Sequence, residues 1–442
     1  MAWRRHCVAL TVALSALGAA PSAQAINWLM FQGTAPEDGG GPPWAVWGFV
    51  QADYLVDQSD TNAAGGYVPA KLAAPDFTSQ NAFNVSRARL GIRGRNLASD
   101  KNVNFFLLAE FGNNAITAAH GQGAALTDAS ITFNHIPHAR LRAGLFKTPG
   151  AEEGLQGITT LDYVEFTAVT NFLVLERPPN AKYTANIPPT DPQESSVNLN
   201  GFTEPVAAFR DVGVQVFDAV LPIEGWELTY AAMVGNGNGL NMSDNNATKD
   251  VYGYLSLERV LSGGAFRDGI KTFLWLQQGR RNYDGDNDGL KEEYDRDRSG
   301  LGVSYRVKPW RATVEYMRAK GMIFLGPDKP SFDINGPASS GGSGLDGMGH
   351  GWYVDGGWRI PGTLWELDAR YDVLTLLDDD PFEMEFKTLT LGVQYHFSPK
   401  TRLTFNASER DWSALHYGRG AGPNDNLDGI GRRYSMQITW ML

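Results

Sequence analysis

The last eleven residues, RRYSMQITWML, place Tyr434, Met436, Ile438, Trp440 and Leu442 on one parity and Arg433, Ser435, Gln437, Thr439 and Met441 on the other. A two-residue period is that of a β-strand whose faces meet different surroundings, because successive side chains point to opposite sides of a sheet. The same alternation recurs in segments of about ten residues, the length of a strand that crosses a bilayer. It predicts strands near 44–54, 84–95, 103–111, 126–134, 140–146, 211–220, 226–234, 251–258, 271–281, 301–307, 312–320, 351–359, 364–373, 388–397, 402–409 and 433–442. Their connections alternate in length too. Short ones, such as 135–139, 221–225, 308–311 and 398–401, carry the Pro or Gly of tight turns, whereas 55–83, 147–210, 282–300, 321–350 and 410–432 are long. An even strand number with long loops at one end is the pattern of a closed membrane barrel; a soluble sandwich has no reason to follow it. The expected fold is all-β, a 16-stranded antiparallel transmembrane β-barrel. Beyond the first 25 residues, the longest apolar run, FTAVTNFLVL at 166–175, falls well short of the roughly 18 residues of a membrane helix. Trp44, Trp226, Trp310, Trp352 and Trp365 stand at strand ends, where interfacial aromatic girdles belong.

The chain begins differently. Arg4, Arg5 and His6 precede the apolar run CVALTVALSALGAA, which leads to Ala23-Gln24-Ala25, the small residues of a signal-peptidase site. Residues 1–25 are therefore expected to be a cleaved signal peptide, 26–43 an N-terminal extension of the mature chain, and 44–442 the barrel. Loss of Arg4 and Arg5 leaves 36 basic against 49 acidic residues, a net charge of −13. Such a balance disfavours nucleic acid, whose phosphates need clustered basic excess. The one cysteine, Cys7, leaves with the leader, which removes disulfides, thiol catalysis and Cys-ligated metal or haem from the mature chain. The expected destination is the bacterial outer membrane, among its lipid and lipopolysaccharide.

Candidate functional residues follow from the same parity. In NVSRARLGIRGR, Arg87, Arg89, Arg93 and Arg95 share one parity and Ala88, Leu90 and Ile92 the other; in RLRAGLFK, Arg140 and Arg142 oppose Leu141, Ala143 and Leu145. With the apolar set against lipid, the guanidinium groups line the lumen, where they raise the local concentration of anions. The same arginines also fit a structural ladder paired with wall carboxylates such as Glu110 and Asp128.

The segments FNVSRARLGIRG, LRAGLFKTPGAEEG, FRDVGVQVFD and YAAMVGNGNGLNMSDNNATKDVYGYLSLE, in that order over about 83–260, together with the C-terminus, resemble the phosphate-selective porin O/P family. The resemblance implies an outer-membrane porin that assembles as a homotrimer, with a third loop folded into the lumen and an arginine ladder guiding anions such as phosphate to a basic constriction. Arg87, Arg89, Arg93, Arg95, Arg140 and Arg142 fit that ladder. By position the inward loop is 148–209. It departs from the family by carrying Glu152, Glu153, Asp162, Glu165, Glu176, Asp191, Glu194 and Glu204 against Arg177 and Lys182, with Lys147 just before it. Acids that line a constriction repel anions unless they point away from it.

The remaining motifs are sparse. Asp284, Asp286, Asp288 and Gly289 occupy positions 1, 3, 5 and 6 of a calcium loop and Glu292 position 9, but position 12 is Asp295 and strands rather than helices flank the loop. Calcium there is an accessory expectation against that of a solvated acidic loop, and no cofactor is required. His135 and His138 flank Pro137 in a short turn, two ligands where a closed metal site needs four. The glycine-rich SGGSG at 340–344 has loop composition, and no nucleophile elbow is present. The expected function is passive diffusion of small hydrophilic solutes with a bias to anions. A general or cation-preferring porin, a barrel-type enzyme and a sheath for an electron-transfer partner are the alternatives.

Overall fold

The computed structural model describes residues 27–31, 43–60, 81–114, 116–117, 123–175, 208–240, 244, 246–262, 267–283, 290–323, 345–421 and 424–442. Sixteen strands follow one another around a closed antiparallel barrel. They are β1 (Trp44–Asp57), β2 (Asn81–Gly94), β3 (Val103–Glu110), β4 (Ala125–Phe133), β5 (Arg140–Lys147), β6 (Arg210–Ile223), β7 (Trp226–Gly235) and β8 (Asp250–Val260), then β9 (Gly269–Tyr283), β10 (Glu292–Val307), β11 (Trp310–Lys320), β12 (Met348–Arg359), β13 (Trp365–Leu376), β14 (Met384–Ser398), β15 (Thr401–Ala414) and β16 (Arg433–Met441). Each pairs with its sequence neighbours, and β16 returns to β1 with Phe49 opposite Met441 and Asp57 opposite Arg433. Every strand expected from the alternation is present.

The alternation sorts the faces as expected. Leu90, Leu107, Ile131, Val214, Leu255, Leu274, Val303, Val314, Val354, Leu391 and Ile438 are exposed on the outside, while Gln51, Asp53, Arg142, Gln215, Asp372, Ser435 and Gln437 are buried within. A continuous apolar exterior of this extent is the surface of a protein dissolved in hydrocarbon. Trp44, Trp226, Trp310, Trp352 and Trp365 all stand on it. Cross-strand partners Trp310 and Trp358 stack with centroids 5.5 Å apart, and Trp365 meets Tyr395 edge-on at 4.7 Å, both at the end that carries the short turns.

Two local departures have physical causes. Strict parity fails in β2, where the register against β1 jumps between Gln51 and Ala52 and leaves Ser86 as an extra residue. That bulge turns Phe83 and Val85 outward with Leu90, although they are of opposite parity, and keeps Arg87 and Arg89 inside. Strands also continue beyond their alternating parts at the loop end, most of all β9 and β10 at 15 and 16 residues. Above the hydrocarbon no face must be apolar, so the ladder of hydrogen bonds goes on without the hydropathy signal. The long connection expected at 282–300 therefore shrinks to 284–291.

The N-terminal extension is not merely a tether. Its described part, the single turn α1 (Trp28–Phe31), enters the lumen from the turn end. The Asn27 amide donates to Glu227 Oε1 (2.8 Å) and Thr229 Oγ1 (2.5 Å) near the start of β7, and Asn27 Oδ1 caps the Met30 backbone N–H at 3.3 Å. Trp28 and Leu29 are buried against Ala151, Leu155 and Leu161. Burying an indole and a leucine stabilises this docking by about 2–3 kcal/mol each at full burial.

Leu274→Arg on the outer face of β9 is expected to lower stability by about 2–4 kcal/mol if the site lies near the bilayer midplane. Urea titration of the chain folded into lipid vesicles measures it.

Candidate functional site

The connection between β5 and β6 crosses the lumen, and its described part, 148–175, is fixed there by charge. Glu152 Oε1 accepts from Lys271 Nζ of β9 at 2.5 Å, and Glu153 pairs with Arg370 of β13 at 3.2 Å. Asp162 meets Arg311 of β11 at 3.0 Å and Arg402 of β15 at 3.7 Å, while Glu165 pairs with Arg433 of β16 at 2.8 Å. Backbone groups join them. Val164 N–H donates to Asn406 Oδ1 (2.8 Å), Ala168 N–H to Asp372 Oδ2 (3.1 Å), and Arg402 donates to the Leu161 carbonyl (2.6 Å). The short turn α2 (Glu152–Leu155), a 3₁₀ turn at Ile158–Thr160 and a π-helical turn at Thr170–Val174 give the loop its shape. The free carbonyls of the last turn, Leu173 and Val174, accept from Arg298 and Arg296 of β10, the favoured partners of a helix C-terminus. Phe172 packs edge-on against the stacked rings of Phe386 and Trp412. Burial of the Tyr163 hydroxyl, with the Asp355 carboxylate as the second cause, pushes its pKa above the ordinary range, so it stays neutral beside Arg370.

The inward fold implied by the family resemblance is thus present in the described part of the loop. The four loop acids named from the sequence turn towards the wall. Glu152, Glu153, Asp162 and Glu165 are each neutralised by a base on the wall between β9 and β16. Their partners lie more than a hundred residues away in sequence, up to 268 for Glu165 and Arg433. Glu176, Arg177, Lys182, Asp191, Glu194 and Glu204 lie outside the described residues.

Across the lumen the balance of charge is reversed. The inner faces of β2–β6 carry Arg87, Arg89, Arg93, Arg140, Arg142, Lys147 and Arg210 against Glu110, Asp128, Asp211 and Asp218. Arg89 pairs with Glu110 (2.6 Å), Arg210 with Asp128 (3.1 Å) and Arg140 with Asp218 (3.3 Å). Arg87 instead donates to the neutral amide oxygen of Gln51 at 3.0 Å. Lys147 Nζ donates to the carbonyls of Gly154 (2.8 Å) and Gln156 (2.7 Å), which locks the base of the loop. Arg142 is wholly buried between the rings of Phe146 and Phe217. Its two terminal nitrogens have no partner among the described residues, and neither has the amide of its cross-strand neighbour Gln215. On the facing wall, carboxylates gather instead: Asp162, Asp355, Glu366 and Asp368 converge on Arg311.

Of the arginines picked out in the sequence, Arg87, Arg89, Arg140 and Arg142 stand on the inner face of the barrel, and two of them, Arg89 and Arg140, belong to ion pairs. Arg93 lines a cavity at the turn end, whereas Arg95 lies beyond β2. Arg210, Lys271 and Arg311 were missed. Arg210 follows an uninformative stretch, and the other two look like ordinary strand charges until the loop arrives opposite them. The calcium motif is only partly described, since Asp284, Asp286 and Asp288 lie outside the described residues. Glu292 and Asp295 belong to β10 rather than to a loop, and Asp295 is held by Lys320 at 2.9 Å. His135 pairs with Asp100 at 2.8 Å, whose carboxyl is kept below its ordinary pKa by the Asn102 N–H and then by the histidine. The His138 carbonyl accepts from Tyr230, and among the described residues no cluster of three metal-ligating side chains occurs. The segment 340–344 lies outside the described residues.

No family model matches the chain, and no curated protein matches it. Solved structures do. The anion-selective porin from Comamonas acidovorans covers 90% of this chain and 99% of its own, at 15% identity and a TM-score of 0.53. Salmonella typhi OmpF in complex with daunomycin gives 10% identity, 90% and 97% coverage and a TM-score of 0.56. The trimer form of OmpT, an outer membrane protein of Vibrio cholerae, gives 10%, 90% and 99%, and 0.51. The chain therefore shares the closed barrel of outer-membrane porins over almost its whole length.

Lys271→Met is expected to leave Glu152 buried and uncompensated, which destabilises the local fold by about 3–5 kcal/mol. Hydrogen exchange should report lost protection at the amides of 152–172, with the strands of the barrel retained.

Proposed function

We propose that this protein is an outer-membrane channel through which small hydrophilic solutes diffuse, with a preference for anions. The carrying observation is the division of charge across the lumen: the loop acids are paired off against β9–β16, while the facing wall of β2–β6 holds more bases than acids. A lumen bounded by low-dielectric walls focuses such a field on a passing anion. In this reading the short turns face the periplasm and the long loops the exterior. Homotrimer assembly is part of the proposal; it is supported by the family resemblance and by the trimeric form of one structural neighbour. Phosphate is one anion such a wall would accept, and nothing in the wall singles it out.

The test is a reversal potential in a KCl gradient across a planar bilayer. Anion preference is expected, stronger at 0.1 M than at 1 M salt because the screening length falls from about 10 Å to about 3 Å. Arg142→Ala should weaken it. Arg89→Ala should weaken it further, since Glu110 is then left unpaired, and adding Glu110→Ala should restore part of the loss. Cation preference in the unaltered protein would overturn the anion reading and leave a general channel.

The docked N-terminus makes a separate expectation. Trp28→Ala removes the indole that packs beside Gly157 of the inward loop. Single-channel conductance should rise, with ion selectivity moving less than conductance does.

A further inference from the structure

Where the basic wall meets the inward loop, the lumen holds an aromatic groove that bulk ion passage does not need. Its floor is a run of rings on β1 and β3, the two neighbours of β2. Trp47 of β1 lies nearly parallel to Phe106 of β3, with centroids 5.8 Å apart and planes 13° from parallel, and to Phe49 at 6.1 Å and 26°. The Arg89 guanidinium sits over Phe49 at 5.7 Å. Leu155, Ile158 and Thr159 of the loop form the other side, and Lys147 and Arg210 close one end. The cavity between them is about 90 Å³ and opens to the lumen.

Wide water-filled pores are lined by polar groups, and a bare aromatic stack in the lumen is costly unless something apolar covers it. Here the apolar surface lies beside the basic groups of Lys147, Arg89 and Arg210. Asp128 is taken up by Arg210 and Glu110 by Arg89, so the acids nearby are already paired. Lys147 is held only by carbonyl oxygens. The indole N–H of Trp47 is turned to the wall, buried against Gly91 of β2. A flat apolar body and an anionic head are both provided for in one cavity.

From this juxtaposition we propose that the groove between β1–β3 and the loop segment Leu155–Thr159 is a binding site for aromatic carboxylates, which pass through the channel by way of it. The proposal rests on the anion-channel reading and narrows it to a substrate class. The ring extends the stack of Trp47 and Phe106 in offset-parallel fashion. The carboxylate is drawn to Lys147 and the Arg89 side. A simple inorganic anion satisfies only the charged end of this site. Weak affinity suits it, because a solute in a pore must leave as readily as it enters.

The test compares benzoate with acetate, which share the head group and differ in the ring. Full-length protein in a planar bilayer is titrated with each in 0.1 M KCl, and saturation-transfer NMR on the detergent-solubilised protein reports ring contact independently of conduction. Benzoate is expected to halve the ion current at a several-fold lower concentration than acetate, and its ring protons should receive saturation. Phe106→Leu and Trp47→Leu should each raise the half-blocking concentration of benzoate roughly two- to tenfold, the range expected for loss of one aromatic contact. Equal behaviour of benzoate and acetate in a channel that still prefers anions overturns the groove and leaves the anion reading standing. If the channel instead prefers cations, saturation of the benzoate ring and its loss in Phe106→Leu decide the groove alone. Retention of the benzoate preference in both variants overturns it as well.

Discussion

Everything inside this molecule depends on closing a ring of hydrogen bonds in a solvent that offers none. In hydrocarbon an unpaired strand edge costs several kcal/mol per group, so β1 and β16 have to meet, and meet in one register. The polar ladder on the lumen side of that seam supplies the register. Gln51 donates to Thr439 (3.1 Å), Gln437 donates to Asp53 (2.8 Å), and Arg433 donates to Asp57 (2.7 Å). A slip of β16 by one residue would turn Arg433 and Gln437 towards lipid and Trp440 and Ile438 inward, leaving Asp57 without its partner. The same inward polarity that a wet lumen tolerates is what tells the two ends of the chain where to join.

The inward loop solves a second problem with the same residues. A sixteen-stranded barrel is wider than its side chains can fill, and its wall presents many bases to the interior. The loop brings acids to them. Glu165 reaches the very Arg433 that pairs with Asp57 at the seam, so barrel closure and loop position share one guanidinium. Buried ion pairs contribute little net stability against apolar replacements, but breaking one side is expensive, which makes them suited to fixing a unique position. The N-terminal turn adds an apolar counterpart: Trp28 and Leu29 press on the loop from the turn end while the wall arginines hold its other flank.

The sequence was legible where physics acts locally. Strand positions followed from alternation because lipid and lumen make opposite demands on neighbouring residues, and the outer aromatic rim followed from where strands end. Legibility stopped where the demand stopped. The upper parts of β9 and β10 lie beyond hydrocarbon and carry no alternation to read, and the Ser86 bulge inverts parity in β2 without any glycine or proline to announce it. The site was harder still. Arg87, Arg89, Arg140 and Arg142 could be placed in the lumen, yet whether each faced a carboxylate or an amide could not be read. Loop acids looked like a barrier to anions because their partners, Lys271, Arg311, Arg370 and Arg433, are brought opposite them only by folding. The role of Trp28 was equally hidden, although Asn27 just before it has the chemistry of a helix cap.

The chain is acidic as a whole, and this is compatible with an anion path. Net charge sets the far field, which salt screens within about 10 Å; a permeating ion responds to what stands within a few ångströms of it. What matters is therefore how charges are distributed around the lumen rather than their sum. By crossing to β9–β16, the loop takes its own carboxylates to a wall rich in arginine and turns its carbonyl edge, at Gly154 and Gln156, towards Lys147. Carbonyl oxygens hold an ammonium in place without cancelling its charge, whereas a carboxylate in the same position would have done both. The direction in which the loop lies thus decides which cations remain available. A mirror placement, with Glu152 and Glu153 against Lys147 and Arg210, would give the same composition and the same barrel, but with its uncompensated positive charge on the opposite wall, away from the rings of Trp47 and Phe106.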